Sequence, residues 1–141
     1  MIILGFDLGK ARTGVAICDK GELLASPLAV ITEYHRDRLV EKLAALAKEN
    51  KAGLLAVGLP RNMDGSEGES AHNAREIGAL LGEATGLPVE FVDERGTTIT
   101  AHGYLNETNT RGKKRKAVVD AVAATVILED CLRRRRNQRQ G

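Results

Sequence analysis

The chain has few aromatic residues, almost no cysteine and no tryptophan. Its aromatics are Phe6, Tyr34, Phe91 and Tyr104 in 141 residues, so aliphatic side chains must supply the core, and a platform of rings for stacking bases is poorly supported. Cys18 and Cys131 are too few and too far apart for a disulfide framework or a Cys-x-x-Cys metal site, and read as reduced, partly buried thiols. The three histidines, His35, His72 and His102, have no spacing that builds a ligand set. No basic leader precedes an apolar run, and no window reaches the roughly 18 uncharged apolar residues of a membrane span. The expectation is a cytoplasmic protein without a membrane partner.

What is present is ordinary in amount and uneven in placement. Hydrophobic residues make up 43% and charged residues 28%, as in a soluble domain, and the length fits one compact unit. We expect a single domain over residues 1–135 and a flexible basic tail over 136–141. The net charge of +2 is a cancellation. Residues 1–110 hold 11 basic and 16 acidic side chains, and residues 111–141 hold 10 and 3, so the two parts carry −5 and +7. That asymmetry points to a polyanionic partner or to a solvated basic tail.

Ile2 to Phe6, Gly14 to Cys18 and Leu23 to Ile31 read as three strands of an antiparallel meander. Leu39, Leu43, Leu46 and Ala47 recur at helical spacing between Thr32 and Lys51, with Thr32 a candidate N-cap and Gly53 a stop. Leu54 to Val57 is a fourth strand, and Ala71, Ala74, Ile77, Leu80 and Leu81 mark a second helix ending near Gly86. Val89 to Val92 is a fifth strand. A short helix from Thr97 to Leu105, a polar loop over residues 106–116 and a last helix from about Ala117 to Arg135 complete an α/β order βββαβαβαα. The expected sheet is mixed, with parallel crossovers after the meander.

Asp7 follows the first strand and Asp93-Glu94 follow the fifth, so they can meet in the crevice at the carboxyl ends of the strands. Asp120 sits in the apolar run Val118 to Ala124. Alone, it reads as an acid in the first turn of a helix. Three carboxylates converging in one crevice would repel unless cations neutralise them, and oxygen-only ligands suit Mg²⁺ or Mn²⁺. Two such ions can activate water in phosphodiester cleavage. The turn Asp7 to Gly14 also matches the Asp-x-Gly hairpin of actin-like ATPases, but those need two such domains. In the loop Gly58 to Gly68, Arg61 and Asn62 are candidate phosphate contacts, whereas Asp64 and Glu67 read as caps of the following helix.

Four ordered motifs agree with one family. Asp-Leu-Gly-x-x-Arg-x-Gly-Val-Ala from Asp7, Gly-Leu-Pro-x-Asn-Met-Asp-Gly-Ser-Glu-Gly from Gly58, Asp-Glu-Arg-x-Thr-Thr from Asp93 and Lys-Lys-Arg-Lys-x-x-x-Asp-x-x-Ala-Ala from Lys113 together resemble the YqgF/RuvX family of Holliday-junction-resolvase-like proteins. The family is also described as the nuclease that matures the precursor of 16S ribosomal RNA. The resemblance implies a ribonuclease H-like fold and a nuclease dependent on Mg²⁺ or Mn²⁺, with Asp7, Glu94 and Asp120 as catalytic and metal-binding acids. It favours Glu94 over Asp93. It makes Asp93, Thr97 and Thr98 supporting residues, and Lys10, Arg12, Arg61, Asn62, Arg95, Lys113, Lys114, Arg115 and Lys116 contacts to nucleic acid. The implied partners are structured RNA in a pre-ribosome or branched DNA, with the protein a monomer or a homodimer. A noncatalytic RNA-binding assembly factor would keep the basic segments without needing all three acids. This chain departs from the family at Ala11, where Lys is usual, and at Gly96, where a large apolar residue is usual.

Overall fold

The computed structural model describes residues 1–94 and 112–140, the side chains of 112–121, 139 and 140 excepted. In chain order the elements are β1 (Ile3–Leu8), β2 (Arg12–Cys18), β3 (Ala25–Thr32), α1 (Arg36–Glu49), β4 (Leu54–Leu59), α2 (Glu69–Thr85), β5 (Val89–Asp93) and α3 (Gly112–Gln140). The strands form one sheet in the order β3-β2-β1-β4-β5. Its first three strands pair antiparallel, and β4 and β5 add in parallel beside β1. This is the mixed five-stranded sheet expected from the hydrophobic periods. The short helix expected from Thr97 lies outside the described residues.

Several boundaries differ from expectation, each for a local reason. Thr32 does not cap α1, because it is the last residue of β3 and pairs with Arg12. The chain then turns on Glu33, whose Oε2 accepts the backbone N–H groups of Tyr34 and His35 at 3.0 and 3.2 Å. The helix starts behind His35. It ends at Asn50, whose own N–H reaches back to Leu46, three residues before the expected stop at Gly53. Gly86 closes α2 in the left-handed conformation at φ 72°, which glycine adopts without a side-chain clash. Neither Asp64 nor Glu67 caps that helix. Its N-cap is Gly68, while the carboxylate of Asp64 accepts from Ser66 N and Oγ and Glu67 is taken by Arg75.

Alternation along the strands divides the core into two layers. On one face Leu4, Phe6, Val15, Leu55, Val57 and Leu59 meet the buried stripes of α1 and α2. On the other, Ile3, Ala16, Leu54, Ala56 and Val92 meet Ala124, Ile127, Leu128, Cys131 and Leu132 of α3. Both cysteines are free and buried. Burial and the neighbouring Glu90 push the Cys131 thiol up to about 12, which keeps it protonated.

The last helix begins five residues before the expected Ala117, so the run Lys113 to Lys116 lies in its opening turns and not in a loop. Asp120 is therefore eight residues in, more than two turns from the start, beyond the first turn where the helix dipole favours an acid. Residues 136–140, expected as a tail, continue the same helix. No helix among the described residues is long and apolar enough to cross a membrane.

One polar cluster fixes the direction of α3. Glu22, 7% exposed and in the left-handed region at φ 58°, accepts from Arg135 Nε at 2.6 Å and from the Met1 amine at 3.0 Å. This holds the carboxyl-terminal part of α3 beside the β2–β3 turn, near the start of β1, so the helix runs against β1. Its amino-terminal half points toward the end of β1 where Asp7 stands. Replacing Glu22 by Gln leaves the Arg135 guanidinium without its counter-charge, and we expect a loss of about 1–3 kcal/mol in urea denaturation. In Glu22→Gln/Arg135→Gln the loss should fall short of the sum of the single variants.

Candidate functional site

Asp7 occupies the penultimate position of β1 and pairs with Gly14 of β2. On its other side, one step beyond the Phe6–Val57 pair, stands Gly58 of β4. Ile3, on the α3 face of β1, fixes the side of Asp7 by alternation, and Val92 does the same for Glu94 just past β5. The backbone N–H of Glu94 donates to Leu59 O at 3.2 Å, which prolongs the β4–β5 pairing by one residue and sets its position. The two carboxyl groups lie within hydrogen-bonding reach of each other. Glu94 is only 9% exposed.

The contact depends on a missing side chain. A Cβ at Gly58 would stand 2.7 Å from Glu94 Cδ and 2.5 Å from Ile127 Cδ1, closer than any real Cβ comes to a neighbour. A glycine inside an otherwise apolar strand marks such a close approach. The glycine in Leu-Leu-Ala-Val-Gly-Leu carries that signal, although by sequence it also reads as the opening of the following loop.

Burial raises the carboxyl groups of both Asp7 and Glu94 above the usual range, and for Glu94 the proximity of Asp7 and Asp93 pushes further in the same direction. The pair thus favours holding a proton between its oxygens. Removing that proton leaves two negative charges in a place poor in water, an arrangement that a hard cation with oxygen ligands relieves. Asp7 and Glu94 fit such an ion in donor type and closeness. Among the described residues no three ligand-type side chains are placed to hold one metal ion, and the side chain of Asp120 lies outside them, as do Arg95, Thr97 and Thr98.

The neighbouring loop over residues 58–68 is a built structure. Arg61 and Glu67 form a β-bridge, Asn62 donates to Ser66 Oγ at 2.9 Å, and Gly65 turns the chain at φ 90°. Glu67 accepts both Nε and Nη2 of Arg75 at 2.6 and 2.7 Å, which ties the loop to α2. Arg75 in turn lies 5.3 Å from the Phe91 ring centroid. Arg61 reaches toward Glu67 at 3.5 Å and Asp93 at 4.0 Å, and its buried Nε has no hydrogen-bond partner among the described residues. Lys10 lies on the β1–β2 turn and Arg12 opens β2, and Gly9 closes the turn by donating to Arg12 O at 3.0 Å. The structure thus brings Asp7, Glu94, Asp93 and Arg61 together at the carboxyl edge of the sheet. Lys113 to Lys116 are placed only as backbone in α3.

A mixed sheet of this order, with carboxylates at the ends of its first and last strands and a long helix across that face, is the ribonuclease H-like fold. Solved structures of the same fold include Thermus thermophilus RuvC in complex with a Holliday junction substrate. It matches with a TM-score of 0.64 at 13% identity over 97% of this chain and 96% of that one. The fowlpox virus resolvase with its junction DNA matches at 0.55 and 12% over 94% and 99%. The chain belongs to the RuvX family of Holliday junction resolvases, whose family model matches residues 1–134. A relative from Anaeromyxobacter sp. named "Putative pre-16S rRNA nuclease" is 44% identical over 132 residues, 94% of this chain and 96% of its own. One of the same name from Clostridium botulinum is 42% identical over 134 residues, 95% and 98% of the two chains.

Two measurements test the carboxylate pair. Its raised pKa values mean that the folded protein binds protons more tightly than the unfolded chain, so without metal its stability falls as pH climbs above the ordinary carboxylate range. Glu94→Gln should flatten that fall and raise Tm above neutrality, and an unchanged slope would show that the pair is not the cause. In urea denaturation, Gly58→Ala should cost about 1–3 kcal/mol by overpacking. The cost should shrink in a Glu94→Ala background, where one of the two clashing groups is gone.

Proposed function

We propose that the protein is a nuclease that hydrolyses phosphodiester bonds with Mg²⁺ or Mn²⁺ held by Asp7, Glu94 and Asp120. The observation that carries this reading is the buried Asp7–Glu94 contact over Gly58. Two carboxylates kept together against burial and mutual repulsion suit a cation site better than any structural role. Asp120 joins them on spacing, since it precedes Ala124 and Leu128, both buried against the sheet, by four and eight residues. When bound, the ions supply Lewis-acid activation of water and stabilisation of the leaving oxygen.

The chain's own residues do the rest. Asp7 and Glu94 would release their shared proton to solvent on taking ligand roles. Lys10 on the β1–β2 turn, Arg12 at the start of β2, Arg61 and Asn62 in the 58–68 loop, Arg95, and Lys113, Lys114, Arg115 and Lys116 hold phosphate oxygens. They contribute affinity without reading bases. Arg61 is suited to this by its long ion pairs, which hold the guanidinium only loosely. Asp93 steadies Arg61, and Thr97 and Thr98 keep the supporting role that the family motif implies.

The substrate we favour is the precursor of 16S ribosomal RNA, met in the cytoplasm in a pre-ribosome, on the strength of the names of the relatives at 44% and 42% identity. The second reading, Holliday-junction resolution, is favoured by the family description and needs two symmetric cuts and hence a homodimer. Residues 1–135 would act as one nuclease domain in either case.

The test is to incubate the protein with precursor ribosomal RNA and with a four-way DNA junction in Mg²⁺, Mn²⁺ or EDTA. We expect cleavage that needs the metal and falls by about 100-fold or more in Asp7→Asn and Asp120→Asn. Cleavage that survives either substitution would overturn the metal site. Binding without cutting under every condition would leave the noncatalytic assembly factor.

A further inference from the structure

A cleft of about 410 Å³ opens at the same edge of the sheet as Asp7, on the α1–α2 side. Its volume falls within the roughly 300–1,000 Å³ of small-ligand sites. Leu39 and Ile77 form the apolar floor, and Lys10, Tyr34, Arg36 and Asn73 form the walls. Lys10 is three residues beyond Asp7, which limits the two to about 10 Å of chain.

The chemistry of the walls is specific. Tyr34 is 78% exposed, an unusual place for one of only four aromatic residues in the chain. Its backbone is nonetheless fixed, because Glu33 Oε2 accepts its N–H and Glu33 N–H donates to Ala11 O at 3.0 Å. The ring therefore stands on a braced segment bonded to the β1–β2 turn. The carboxylate of Glu33 would repel an anion, but Lys42 Nζ neutralises it at 2.9 Å from Oε1. Arg36 is spent on Glu76 and on Asn73 Oδ1, both at 2.6 Å. That bond orients Asn73 and leaves its Nδ2 as a donor. Lys10 makes no ion pair among the described residues, so the cleft keeps one available cation, one accessible ring and one oriented amide donor over an apolar floor. A base, its ring face and its phosphate match these three groups.

We propose that this cleft is a subsite for a single unpaired nucleotide of the substrate strand beside the scissile bond, with the base stacked on Tyr34 and the phosphate met by Lys10. The proposal rests on the nuclease reading for what the strand is doing there. It needs one aromatic ring, not a platform, and so is compatible with the poverty of aromatics in the chain.

The test uses the full-length protein in EDTA and short single-stranded RNA and DNA of the same sequence carrying 2-aminopurine. The protein has no tryptophan to interfere with that fluorescence. The native protein and Tyr34→Phe should bind and quench the probe. Tyr34→Ala should lose the quench and bind about tenfold more weakly, the loss of one stacked base. Lys10→Ala should keep the quench and show a shallower salt dependence. Comparison of the RNA and DNA arms reports which sugar the cleft prefers. Binding and quenching by Tyr34→Ala at the native level, or no quench by the native protein with either strand, would overturn the proposal. Cleavage by the native protein with metal is scored separately. Cutting without a quench defeats the cleft and spares the nuclease, whereas a quench without cutting upholds the cleft as a nucleotide site and defeats the nuclease.

Discussion

The architecture depends on how closely α3 approaches the sheet. Gly5 and Gly58 lie under it, and a Cβ at either would collide, at Gly5 with Leu128 Cβ at 2.9 Å and at Gly58 with Ile127 Cδ1 at 2.5 Å. Between them the strands carry Ala56, with Ala16 on β2. These small residues let the helix sink toward the backbone, and the aliphatic core closes with few aromatic side chains. The same absence of bulk at Gly58 allows Glu94 to reach Asp7. One packing device thus serves the core and the site together.

The sheet and two of the helices were legible in the sequence because their signals are local: β-branched runs between turn residues, and apolar positions at helical spacing. Boundaries are not legible where a side chain overrides the local pattern. Thr32 looks like a cap until Glu33 is seen to take the amides of the turn. Asp64 and Glu67 also look like caps, but one is used by Ser66 and the other by Arg75. The start of the long helix is not legible, because its polar opening, Gly-Lys-Lys-Arg-Lys, has no apolar period to mark it. That Asp7 can meet Asp93-Glu94 was legible from the strand ends, with Glu94 singled out only by the family resemblance. The role of Gly58 was not, since a glycine reads as a turn until the neighbours on both sides of its strand are known.

The acidic and basic groups are also less independent than a count of charges implies. Glu67 meets both Arg61 and Arg75, and Arg61 also reaches Asp93, the residue before Glu94. A phosphate drawn to Arg61 would therefore compete with the partners that hold the loop against α2 and β5. These ion pairs are partly exposed, and individually each is worth little to stability. Their consequence lies in where they hold the guanidinium.

The anchoring of α3 at Glu22 limits how this protein can vary. The helix is pinned near one end by Arg135 and seated along its middle by Ala124, Ile127 and Leu128. Everything before Ala124 is therefore presented at an angle set by residue count. Substitutions on the outer face change nothing in that angle, but gaining or losing one residue between Asp120 and Ala124 turns the preceding segment by about 100° around the axis. Side chains in this stretch can drift, whereas its length cannot.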